Sequence, residues 1–182
     1  LTMAGFLAPS LQAGASGGKP VVDFGALGSL QALQWNHTNT AIKAAFVVFH
    51  SLGATSPLLG AVTNQPQDFV RGVSGQLYNN DISSLASRAA AYGANFVSGW
   101  RIEPLTATLP SGICVVSVVP TTDARASAFA MDRHYSARSG GQRLAEVIIY
   151  NRALTDQERR DTEAYLMRKW LNRAAPGYGY EG

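Results

Sequence analysis

Residues 144–166 read LAEVIIYNRALTDQERRDTEAYL, an apolar run followed at once by a charged one. Drawn out as a strand, Ala145, Val147 and Ile149 share one face, and Leu144, Glu146, Ile148 and Tyr150 share the other. Both faces are apolar except for Glu146, so this strand needs cover on two sides, one of them an opposing sheet. The second cover follows in the sequence. Thr155 and Glu158 have the T-x-x-E spacing of a capping box, in which the hydroxyl takes an early helix amide and the glutamate reaches back to the cap residue's own amide. This starts a helix just after Leu154. Thr162, Tyr165, Leu166 and Trp170 then recur at steps of three and four as an apolar stripe, with Arg159, Arg160, Glu163 and Lys169 left for solvent. The helix is expected to be a lid over the last strand, with Glu146 accepting hydrogen bonds beneath it from an arginine or from backbone amides.

Upstream, Gly and Ser clusters at ASGGK, GALGS, LPSG and ARSGGQ separate segments rich in β-branched and aromatic residues. Strands are predicted at Val21–Phe24, Ala44–Ser51, Ser56–Gly60, Phe69–Gly72, Asn95–Ile102, Ile113–Val119, Ser127–Asp132 and Leu144–Tyr150. That inventory fits an all-β, two-sheet antiparallel sandwich with one C-terminal helix. DISSLASRAAAYG can form a short helix, or Asn79, Asn80 and Asp81 can make a turn. With 182 residues, 46% hydrophobic and 15% charged, one domain with a sizeable core is expected. Residues 1–16 read as a linker or truncated N-terminal segment, 17–172 as the domain and 173–182 as a flexible tail. The opening LTMAGFLAPSLQAGA resembles the end of a secretory signal without its basic start, which favours a processed or truncated beginning. No apolar run approaches the roughly 18 residues of a transmembrane helix. A net charge of +3 without a Lys/Arg block gives no sign of a nucleic-acid partner. The one cysteine, Cys114, sits inside ICVVSVV and reads as a small buried apolar group.

The pattern GGQRLAEVIIYNRALTDQERRDTEAYLMRKW resembles the C-terminal signature of bacterial and phage LamG-like domains, in the concanavalin A-like lectin/glucanase superfamily. SGGKPVVDFG, PLLG, FVRG, GWRI, PLTATLPSG and ASAFAMDR are similar to successive strands and turns of such domains, from about Gly17 to Leu171. The resemblance implies a jelly-roll sandwich used to recognise glycans or proteins, in some cases with calcium in a loop. One departure is the short region ahead of GGKPVVDFG, where these domains carry a further segment, often with a tryptophan.

Because the superfamily includes glucanases, catalysis has to be weighed. Retaining hydrolysis needs two carboxyl groups about 5 Å apart, supplied in this fold by an E-x-D-x-x-E strand. Laid on the last strand, that pattern gives Glu146, then Ile148 and Asn151 where the other carboxylates belong. Glu103 is followed by Pro104 and Leu105, and there is no G-x-S-x-G elbow for a serine triad. The expectation is a protein without catalytic residues. For metals, NNDISS makes Asp81 the one weak calcium candidate, and a helix-capping turn is the simpler account. His37, His50 and His134 lack zinc spacing.

Sugar recognition uses aromatic faces flanked by polar groups. The ligand candidates are Trp35, Asn36, Tyr78, Trp100, Arg133 and Tyr135, with Arg101 beside Trp100. Trp35 and Tyr135 lie near turns, whereas Trp100 in a strand and Trp170 on the helix are expected to pack into the core. Two functions follow. One is a non-catalytic recognition or adhesion module at a bacterial surface or outside the cell, with a glycan or protein surface as partner. The other is a structural part of a phage particle, with neighbouring virion subunits as partners. The low charge and the apolar stretch FGALGSLQALQW lean slightly toward an assembly interface.

Overall fold

The computed structural model describes residues 5–52, 57–60, 70–71, 75–78, 85–133, 136–174 and 176. They form two antiparallel sheets. The larger is ordered β1 (Ser10–Ser16), β2 (Lys19–Asp23), β11 (Gln142–Tyr150), β4 (Ala44–Ser51), β9 (Ile113–Val119), β7 (Ala94–Val97), β8 (Trp100–Arg101); the smaller, β3 (Leu33–Ile42), β10 (Ala124–Phe129), β5 (Pro57–Gly60), β6 (Val70–Arg71). A short helix α1 (Leu85–Ala91) precedes β7, and α2 (Asp156–Leu166) runs into a π-helical turn, Met167–Leu171.

β4 and β9 lie side by side at the centre of the large sheet, with the bounds the sequence predicts. Their two apolar faces are used as two cores. Ala45, Val47 and Phe49 face the small sheet, packing with Cys114, Val116, Leu59 and Ala126. Ala44, Phe46 and Val48 face the other way, onto Leu166, Met167 and Trp170. The charge-poor composition follows from this, since central strands covered on both sides have no solvent face to carry charge.

The strand in the opening stretch departs from simple alternation. Register shifts between Leu144, opposite Phe49, and Glu146, opposite Val48, so Ala145 is an extra residue. Leu144 therefore joins Val147 and Ile149 in the inter-sheet core, and Ala145 joins Ile148 and Tyr150 under the helix.

The capping box is present, with Thr155 Oγ1 accepting from the Glu158 amide and Glu158 accepting from the Thr155 amide at 2.8 Å. The stripe is rotated from the expected one. Arg159, Glu163, Leu166 and Met167 are buried, whereas Tyr165 is 48% exposed with the Lys169 ammonium on its hydroxyl. Arg159 and Glu163, assigned to solvent from their residue type, neutralise each other across one turn, and the Arg159 guanidinium lies 3.7 Å from the centre of the Phe96 ring. Trp170, half-buried, donates its indole N–H to Glu146, which also takes the Lys169 ammonium at 2.9 Å. Glu146 is thus held beneath the helix as expected, by a tryptophan and a lysine in place of an arginine.

Other predicted bounds also change. β1 lies within residues 1–16 and pairs with β2, so the sheet extends into the segment assigned to a linker. Ten-residue β3 was not foreseen, and Trp35 lies inside it. Asn95–Ile102 is two strands, because Ser98 and Gly99 both take positive φ and turn the chain between Val97 and Trp100 as a two-residue hairpin loop. β10 begins at Ala124, three residues before the predicted start.

Candidate functional site

Among the described residues, the sequence-derived ligand candidates do not come together. Tyr78 is 1% exposed, and its hydroxyl donates to Asn95 Oδ1 at 2.9 Å. Asn95 in turn donates to the Ala90 and Gly93 carbonyls at the end of α1, so this is an internal bracket that satisfies helix-end acceptors. Burial pushes the Tyr78 phenol well above its ordinary pKa. Trp35 packs edge-on against Phe129, ring centres 5.1 Å apart, half in the core. Asn36 beside it is exposed, its Oδ1 2.6 Å from His37 Nδ1. Arg133 is bound to Asp132, which is fully buried and also takes Arg138 at 2.7 Å. These bonds tie down the loop after β10. Tyr135, Asp81 and His134 lie outside the described residues.

Trp100 differs from the core role expected of it. It is 67% exposed, and Arg101 beside it is exposed too. The reason is position: β8 is the last strand of the large sheet and has only two residues. Trp100 opposes Val97, a core-facing residue, so its ring emerges on the same face beyond the reach of the inter-sheet core. Arg101 opposes Phe96 and stands on the other face. A tight hairpin loop holds both in place, a rigid mount for an exposed indole.

A second feature had no counterpart in the sequence. The β1–β2 hairpin turns at Gly17 and Gly18, both at positive φ, and its Ala15–Gly17 segment borders a cleft of about 280 Å³. Val21, Arg143, His50 and Ile113 line it, on neighbouring strands β2, β11, β4 and β9. Arg143 opposes His50 and His50 opposes Ile113, so the three stand side by side on one face. Arg143 Nε donates to Asp23 Oδ2 at 2.8 Å, while Asp23 Oδ1 accepts the Gly25 amide at 2.7 Å. His50 Nε2 lies 3.0 Å from the Ser111 carbonyl oxygen. A carbonyl only accepts, so Nε2 is the donor in this contact, and in the neutral form of the ring Nδ1 is then the acceptor. No short-range pattern betrays the set, since Asp23 and Arg143 are 120 residues apart.

Among the described residues no group of three or more His, Cys, Asp or Glu side chains is placed to hold a metal ion, and no helix is long and apolar enough to cross a membrane. Cys114 is 1% exposed, and burial pushes its thiol pKa up to about 12, which leaves almost no reactive thiolate at neutral pH. No protein-family model matches the chain, and no curated protein or solved structure matches it.

Proposed function

We propose that the chain is a non-catalytic recognition module whose sandwich has the jelly-roll arrangement of LamG-like domains, and that it binds a glycan or protein surface outside the cell or at the bacterial surface. The observation that carries this is Trp100: a largely bare indole, on a tight hairpin at the sheet edge. Leaving an aromatic ring of that size in water forgoes roughly 2 kcal/mol of burial, and a ligand that stacks on it recovers that. Glu146 supports the non-catalytic part, because the carboxylate nearest to a glucanase pattern is committed to Trp170 and Lys169 beneath the helix. Binding of the purified chain to a glycan array tests this. Trp100→Ala should weaken every positive signal from a glycan without a sugar acid about tenfold or more, at unchanged melting temperature. Neutral-glycan signals that persist in the variant, or turnover of an oligosaccharide by the wild type, would count against the proposal.

A second reading, a structural component of a phage particle, draws on a different observation. β1 is an exposed edge strand, SLQAGAS, without a charge or a proline, and Leu7 and Leu11 nearby are 57% and 74% exposed. Such an edge is suited to pairing with a neighbouring subunit.

A further inference from the structure

We infer that the cleft between the β1–β2 hairpin and the large sheet is a binding site for a sugar acid, a hexuronate, distinct from the Trp100 edge. Three features of the cleft point to this class of ligand, and each constrains a different part of it.

The first is the guanidinium. Asp23 takes only Nε of Arg143, and with 37% of its side chain exposed Arg143 keeps its terminal N–H groups available for a planar anion. Each oxygen of Asp23 holds one donor, the Gly25 amide on Oδ1 and Arg143 Nε on Oδ2, so the carboxylate fixes the guanidinium through one edge and leaves its terminal nitrogens to a ligand. Arg143 is the one formally charged side chain among the residues lining the cleft, and it is the group that an anion entering there meets.

The second is His50. With Nε2 donating to Ser111, Nδ1 accepts, and a hydroxyl group is the natural donor to it. A guanidinium donor and an imidazole acceptor on adjacent strands therefore ask for a carboxylate and a hydroxyl in one molecule. The third is size and lining. Val21 and Ile113 offer apolar walls to the C–H face of a ring, and about 280 Å³ falls just below the range that holds drug-sized ligands. One sugar residue fits that space.

The test is titration of the full chain with D-glucuronate, followed by the NMR signals of the His50 ring. D-Glucose, which lacks the carboxylate, and lactate, which lacks the ring, are run beside it. Saturable glucuronate binding with a dissociation constant of roughly 1 mM is expected, with glucose and lactate at least about tenfold weaker. Arg143→Gln should weaken binding about tenfold or more. Because that change also frees Asp23, Ala15→Trp gives an independent check: Ala15 is exposed, and a large ring there closes the cleft without touching the ion pair. It too should abolish binding. Trp100→Ala and Arg101→Gln should leave it unchanged, which separates this site from the array result. The inference fails if the folded chain does not bind glucuronate saturably. It fails equally if binding survives both Arg143→Gln and Ala15→Trp, or if glucose or lactate binds as tightly.

Discussion

Arg159 and Glu163 are charged residues that the helix buries. Both carboxylate oxygens of Glu163 lie 2.8 Å from one guanidinium nitrogen, Glu163 is 0% exposed, and Phe96 closes the other side of the guanidinium. Desolvating such a pair costs nearly what its attraction returns, so its net contribution is small, but removing Glu163 takes the buried counter-charge from a buried guanidinium and leaves it the exposed Asp156 carboxylate at 3.5 Å. Glu163→Ala should therefore destabilise by about 3–5 kcal/mol, measured as a shift in the urea midpoint. The double change Arg159→Met with Glu163→Leu should recover most of the loss. A single-variant loss below about 1 kcal/mol would mean that water reaches the pair. Sequence alone hides this, because Arg and Glu taken singly default to solvent. The i,i+4 spacing of Arg159 and Glu163 was the available clue, and it marks a surface pair as readily as a buried one.

Helix α2 shows what local sequence can and cannot specify. Its start was legible, because T-x-x-E acts within one turn; its buried face was not, because that depends on which strand residues lie beneath. Glu158 makes the start pH-sensitive. Hydrogen bonds from Arg152, then from the Thr155 amide, bring its pKa from the ordinary 4.5 down to about 2. A lowered folded pKa means that the cap's contribution is complete above pH 4.5 and is lost as the pH falls towards 2. The acid limb of a stability profile should therefore be shallower in Glu158→Gln than in the wild type, and parallel limbs would show that the cap is not linked to folding. The same locality decides which strands were foreseen. β4 and β9 announce themselves by β-branched and aromatic runs, whereas the SLQAGAS of β1 and the LQWNHTNTAI of β3 are extended because β2 and β10 pair with them. The Ser98–Gly99 turn that exposes Trp100 did leave a trace, a Ser-Gly pair inside an apolar run, and this signal was missed.

At the scale of the whole molecule, seven strands face four, so the large sheet outruns its partner, and its two edge strands carry the two most exposed large apolar side chains among the described residues, Leu11 and Trp100. Two stacked sheets were legible from composition and turn spacing. The strand order was not, since β11 enters between β2 and β4 from more than ninety residues downstream, and nothing local encodes that insertion. The two edges of the large sheet support different functions. β8 carries Trp100 and suits a ligand; β1 carries an uncharged, exposed strand and suits another subunit. If β1 pairs between copies or with a particle neighbour, backbone groups and Leu11 together make the contact, and one charge placed there should break it. Leu11→Lys tests this: Leu11 is 74% exposed, so the fold should lose less than about 0.5 kcal/mol. Sedimentation velocity of wild type and variant then separates the two functions. Concentration-dependent oligomers that disappear in Leu11→Lys would place the assembly role first. A wild type that stays monomeric at high concentration would leave β1 as a bare edge and favour the recognition module carried by Trp100.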